Sequence, residues 1–208
     1  MANLITLARF LLLFLLVSLI YLAPPAWQLV NAPLLFVIIA LDGLDGWVAR
    51  RRGETSVFGS IFDIAVDRVV ELILWLALGH IGLVPIWVAM LFIIRGVLVD
   101  SIRYAAISQG ETTFGMMRSP WGRFLVAGRF MRGFYGAAKA VAFGWILLVQ
   151  PLPALAPDVW AGWSGPIETV TAALVGLCVL LCVVRGLPVL IEFAIDQRVF
   201  GKARQVPR

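Results

Sequence analysis

The chain has 208 residues, 62% of them hydrophobic and only 14% Asp, Glu, Lys or Arg, with a net charge of +5. Soluble domains carry about a quarter charged residues, so these few charges could not cover a globule in water, and the bilayer is the natural solvent. The basic excess sits in short clusters between apolar runs, which fits anionic lipid head groups and membrane orientation and argues against nucleic acid as a partner.

A helix needs roughly 20 mostly apolar residues to cross the hydrocarbon, and six stretches meet that need. The first, 5–22, contains Arg9 and ends at Ala23-Pro24-Pro25. It has no clear small-residue cleavage site and further spans follow it, so it reads as a retained helix. The second, 33–50, runs into Arg50-Arg51-Arg52-Gly53. The third, 57–78, is followed by His80, the only histidine, in a short loop before Gly82. No His-based triad or His-rich zinc site can be built from it. The fourth, 83–107, carries Arg95, Asp100 and Arg103, and a break around Ser119-Pro120 separates it from the fifth, 130–149, which carries Lys139. Residues Pro151 to Pro166 form the next connection, in which Asp158 is expected, with Glu168 at the edge of the sixth span, 167–185. Cys178 and Cys182 lie in that span with no further Cys or His, as packing residues. Gly186 and Pro188 are expected to interrupt the last helix, leaving residues 186–208 as an interfacial tail.

Loops 23–32, 79–82 and 151–166 contain no Lys or Arg. The other side collects Arg50, Arg51, Arg52, Arg118, Arg123, Arg129, Arg132, Arg198, Lys202, Arg204 and Arg208. The positive-inside rule then makes both termini cytoplasmic. The expected fold is an all-α integral membrane protein, a single domain over 1–208 built as one bundle of six transmembrane helices.

Against this background Asp42, Asp45, Asp63 and Asp67 stand out. Asp42 lies on the order of 13 Å from the Arg51 end of its helix at 1.5 Å per residue. A charge that deep costs a few kcal/mol even on mild insertion scales, which marks function. Asp42 and Asp45 are three apart and Asp63 and Asp67 four apart, so each pair shares a helix face. The short loop between the two helices makes them antiparallel neighbours, and four carboxylates converge. Unaided, they repel one another and take up protons. Two divalent cations balance them, and hard oxygen ligands favour Mg2+ or Mn2+ over zinc. Two plainer readings stay open: structural ion pairs with arginine, Asp67-Arg68 and Asp45-Arg50 being nearest in sequence, and a proton relay. Gly46, Ala49 and Gly59 leave room beside the carboxylates, although small residues also serve tight helix packing. Arg50 offers a fork of donors to a phosphate.

Residues 42–67 fit D-x-x-D-G-x-x-A-R-x8-G-x3-D-x3-D at every fixed position, and the chain thereby resembles the CDP-alcohol phosphotransferases. The resemblance implies that Asp42 and Asp63 bridge two metals, that Asp45 completes the first site and that Asp67 completes the second and acts as general base. It further implies that Gly46, Arg50 and Ser56 contact the CDP-lipid. The opening Asn3-Leu4-Ile5-Thr6-Leu7-Ala8-Arg9 is similar to the N-x-x-T-x-x-R of bacterial phosphatidylglycerophosphate synthases, which implies a nucleotide-binding role for Asn3 and Thr6; Asn3 as a helix cap is the alternative. Where many bacterial members have Asp-Pro-x-x-Asp-Lys, this chain has Asp63-Ile64-Ala65-Val66-Asp67-Arg68, so no ligand is lost but the glycerol-phosphate branch is less firmly marked.

The implied activity is transfer of the phosphatidyl group of CDP-diacylglycerol to a small alcohol, with release of CMP, in phospholipid biosynthesis. Glycerol 3-phosphate leads as acceptor, with inositol phosphate, serine or another alcohol behind it. The resemblance also implies a homodimer in the inner cell membrane, with its active site facing the cytoplasm. Arg103 and Lys139 are candidates to hold an anionic acceptor, with pairing of Asp100 and Arg103 as the rival. An ion or proton transporter is the reading from a different class; Glu71, one turn past Asp67, is the residue that favours it.

Overall fold

A computed structural model describes residues 2–52, 57–108 and 119–196, without the side chains of 2, 3, 45–50, 52, 57, 58, 60, 107, 108 and 196. Among the described residues all regular structure is helical. The long helices are α1 (Ala2–Leu22), α3 (Asn31–Arg52), α4 (Val57–His80), α5 (Ile86–Ser108), α7 (Arg129–Val149) and α9 (Pro157–Asp196). Short turns α2 (Pro25–Gln28), α6 (Pro120–Gly122) and α8 (Leu152–Leu155) and a π-helix at Arg123–Ala127 join them. Among the described residues four segments are long and apolar enough to cross a membrane: Leu4–Leu22, Pro25–Leu44, Arg129–Leu155 and Pro157–Ile195. The other two long helices carry the charges, Asp63, Asp67, Arg68 and Glu71 in α4 and Arg95, Asp100 and Arg103 in α5.

The end of the chain corrects two expectations. Gly186 and Pro188 do not interrupt the last helix, for α9 runs unbroken from Pro157 to Asp196. A proline inside an apolar helix is tolerated where neighbours take up the freed backbone groups, and Gly186 is wrapped by the Arg95 side chain, 3.0 Å from where a Cβ would stand. Val189 is fully buried, so residues 186–196 continue a packed helix where an interfacial tail was expected. Nor are Asp158 and Glu168 loop and edge residues: both lie within α9, which opens on Pro157 with Asp158 in its first turn. Proline at the first helical position and an acid near the N-terminal dipole favour that early start.

The chain divides into two compact units, one of residues 1–89 and 139–175, the other of 90–138 and 176–208. In the first, α1 packs against α3 and α4. Buried positions recur every three or four residues: Leu13, Leu16 and Ile20 on α1, Leu35 and Ile38 on α3, Leu74, Trp75 and Leu78 on α4. Trp75 and Phe143 meet with ring centroids 4.6 Å apart. The outward faces are apolar too, with Leu11, Phe14, Phe36, Leu76 and Leu148 all exposed. Such a surface suits lipid rather than water.

In the second unit Val99, Ile102, Val126 and Val189 form a small core backed by Leu190 and Phe193. The π-helix displaces carbonyls from their usual partners, and Arg185 on α9 takes two of them, Leu125 O at 2.7 Å and Val126 O at 3.3 Å. The Tyr135 ring lies against both Arg185 and Arg95, with centroids 5.4 and 6.0 Å from the guanidinium carbons. Gly128 ends the π-helix, and a Cβ there would lie 2.2 Å from the Phe124 carbonyl oxygen. Gly128→Ala is therefore expected to cost about 1–3 kcal/mol as an overpacked site. In a detergent melting experiment that is roughly 2–4 °C per kcal/mol for a chain of this size. Gly133→Ala, with nothing within 4 Å of the new methyl, is the control that should not fall; equal melting of the two variants would show that the junction adjusts freely.

Candidate metal centre

Three helix faces change character along their length in the same way. On α1 the buried stripe runs Thr6, Arg9, Leu13, Leu16, Ile20, polar first and then apolar. On α4 the i+4 succession Asp63, Asp67, Glu71 is continued by buried Leu74 and Leu78. On α3, which runs the other way, the apolar positions Leu35 and Ile38 precede Asp42. The apolar ends meet where the Tyr21 hydroxyl lies 2.9 Å from His80 Nδ1. Counting back twelve residues from Tyr21 reaches Arg9, and thirteen from His80 reaches Asp67, about 18–20 Å of helix in each case. The polar ends therefore share a level, and the helical register alone accounts for the convergence.

At that level Asp42, Asp63 and Asp67 each offer a carboxylate oxygen, the three atoms lying within 4.8 Å of one another. Arg9, with only 2% of its surface exposed, points its guanidinium into the cluster. Its Nη1 lies 2.7 Å from Asp42 Oδ1 and 3.0 Å from Asp63 Oδ1, and its Nη2 donates to Asp67 Oδ1 at 2.5 Å. Arg9 thus sets one positive charge against the three carboxylates. The donor set is all carboxylate oxygen, which is what hard divalent cations such as Mg2+ or Mn2+ require. The residues present fit such ions.

Arg9 is the site residue whose place the sequence did not disclose. Pairing by proximity pointed to Arg68 for Asp67, but Arg68 Nη1 lies 3.2 Å from Glu71 Oε2 instead. The arginine that reaches the aspartates lies on α1, 33 residues before Asp42 and 54 to 58 before Asp63 and Asp67. Its sequence signals were a cation in the middle of an apolar helix and the last position of the N-x-x-T-x-x-R resemblance, neither of which names the aspartates as its partners.

Lys139 Nζ lies 2.8 Å from Glu71 Oε2, within the same unit. Glu71, the residue that most favoured the alternative transporter reading, is gripped by Arg68 and Lys139. Arg103 lies in the other unit, 3.9 Å from Asp100 Oδ1. Thr6 is buried on α1 one turn before Arg9. The side chains of Asn3, Asp45, Gly46 and Arg50, and Ser56 and Arg118 altogether, lie outside the described residues.

The sequence model of one protein family, CDP-alcohol phosphatidyltransferase, matches residues 1–152. A Pseudomonas fluorescens CDP-diacylglycerol–glycerol-3-phosphate 3-phosphatidyltransferase is 32% identical over 151 residues, covering 70% of this chain and 76% of that protein. A probable phosphatidylglycerophosphate synthase of Mycobacterium tuberculosis is 28% identical over 145 residues, 70% of this chain; the match spans only 56% of the mycobacterial protein. An Arabidopsis thaliana CDP-diacylglycerol–inositol 3-phosphatidyltransferase is 40% identical over 55 residues, about a quarter of either chain.

Proposed function

The chain belongs to the CDP-alcohol phosphatidyltransferase family, and on that premise we propose that it transfers the phosphatidyl group of CDP-diacylglycerol to the hydroxyl of glycerol 3-phosphate, releasing CMP. The observation that carries the proposal is the convergence of Asp42, Asp63 and Asp67 from two helices on one point inside an apolar fold. Asp42, Asp45, Asp63 and Asp67 would together hold two divalent cations. Bound there, such ions supply the positive charge that neutralises the pyrophosphate and the departing CMP.

The chain's own groups do the remaining work. Asp67 is the most exposed of the three carboxylates, its side chain 50% accessible against 40% for Asp42 and 38% for Asp63. It takes the proton of the acceptor hydroxyl as that oxygen bonds to the lipid-bearing phosphorus and the bond to CMP breaks. A carboxylate is a weak base for an alcohol, and it serves because proton transfer accompanies bond formation between groups held in register. Arg50 and Ser56 hold the phosphates of the CDP-lipid, Gly46 leaves room for them, and Asn3 and Thr6 lie at the nucleotide end. The basic residues flanking the carboxylate end of α3 support a cytoplasm-facing site in the inner membrane, six spans and cytoplasmic termini. A homodimer is the assembly we expect from the family.

Glycerol 3-phosphate is supported by the names of the Pseudomonas and mycobacterial relatives. Purified protein with CDP-diacylglycerol and Mg2+ is expected to release CMP only when an alcohol is added. A panel of glycerol 3-phosphate, inositol 1-phosphate, serine and glycerol identifies the acceptor. CMP release without any alcohol would point to hydrolysis or a covalent intermediate. Arg103→Gln is expected to raise the KM of an anionic acceptor by roughly ten- to a hundredfold, the loss of one charge-assisted contact, with the KM of CDP-diacylglycerol unmoved.

A further inference from the structure

Arg9 poses a problem that the proposed chemistry does not answer. A guanidinium cannot shed its proton in a protein, so its charge in the carboxylate cluster is permanent. Yet the cluster is where the proposed cations bind, and Arg9 already engages Oδ1 of all three described aspartates. Its charge cannot be neutralised, only balanced or moved aside. Conversely, with no metal and no Arg9, three partly exposed carboxylates would face each other with oxygens within 4.8 Å, and like-charge repulsion would oppose their convergence.

We propose that Arg9 is a built-in counter-ion: in the metal-free protein its forked guanidinium holds Asp42, Asp63 and Asp67 together, and it competes with the divalent cations for the same oxygens. The inference rests on the metal-site reading above. It assigns Arg9 a positioning role that differs from nucleotide contact, and it explains how the site persists before cations arrive. The fork suits the task because two nitrogens reach three carboxylates at once, which an ammonium point charge does not.

The role has a signature of two opposite changes. Removing the cation should weaken the metal-free fold and, by removing a competitor, tighten metal binding. A residue that merely scaffolds the ligands would weaken both, and one that touches only the nucleotide would change neither. The test uses the full chain in detergent, with Mn2+ binding followed by electron paramagnetic resonance and melting followed in chelator and in excess Mn2+. Arg9→Gln is expected to bind Mn2+ roughly tenfold more tightly or better, the equivalent of one lost charge-assisted contact. It should also melt lower than wild type by at least about 5 °C in chelator, with most of that deficit removed by Mn2+. Arg9→Lys should show both changes at smaller size. Should Arg9→Gln be recoverable only with Mn2+ present, the proposal stands in its extreme form; should it fold under neither condition, Arg9→Lys decides by the same two readouts. Unchanged or weaker Mn2+ binding by a folded variant, alongside normal binding by wild type, overturns the counter-ion role. Absence of Mn2+ binding by wild type itself sinks the metal-site reading first, and the counter-ion role with it.

Discussion

Asp67→Asn is expected to abolish turnover, by at least about a hundredfold in kcat, the usual scale for loss of a positioned general base, while CDP-diacylglycerol still binds. Asparagine keeps the shape of the side chain and removes the charge that receives the proton. It also removes one anionic ligand, but Asp42 and Asp63 remain to hold cations. Asp42→Asn is expected to fail earlier in the sequence of events, at cation binding, since that carboxylate would hold the cations and takes no part in proton transfer. Melting with and without Mg2+ separates the two: Asp67→Asn should retain most of the metal-dependent stabilisation and Asp42→Asn should lose it. Single-turnover CMP release measured on the same preparations checks the chemical step. Full activity in both variants would end the two-metal assignment.

The Asp63–Asp67 pair was legible from spacing because an α-helix places residues four apart on one face. The short connection between α3 and α4 then makes Asp42 meet Asp63 and Asp67 without further information. Arg9 was not legible in this way. Its partners are set by the packing of α1 on α3 and α4, and local spacing says nothing about which helix presents a cation to which acid. The same gap explains Glu71, which continues the α4 face and looked like a step on a path, until a lysine from α7 closed on it. The last helix failed for a different reason. Gly and Pro end helices in water because freed backbone groups find solvent there; in an apolar setting the intact helix is the cheaper state, and Gly186 serves instead as the place where the Arg95 side chain passes.

Lys139 and Glu71 carry the second large effect. Glu71 is buried, with 10% of its side chain exposed, and its Oε2 is shared between Lys139 Nζ at 2.8 Å and Arg68 Nη1 at 3.2 Å. Removing one member of a buried pair strands the other, at about 3–5 kcal/mol. Lys139→Met is expected near the lower end, because Arg68 still faces the acid. Glu71→Gln should cost a similar amount by removing the carboxylate that Lys139 and Arg68 both face, and the double variant should recover much of the sum, because in contact pairs the coupling is measured by that recovery. Against this stands the role first assigned to Lys139, reading the charge of an acceptor. Glu71→Gln separates the two, since it leaves the Lys139 charge in place and frees it from its partner. If Lys139 holds an acceptor phosphate, Glu71→Gln should preserve or lower the acceptor KM while Lys139→Met raises it, in a panel that pairs glycerol 3-phosphate with neutral glycerol. If the lysine is a structural partner, both single variants should lose melting temperature together and shift the two acceptors alike. A folded, thermally unchanged Lys139→Met with normal KM for every acceptor would contradict both roles and leave the Glu71 site to Arg68 alone.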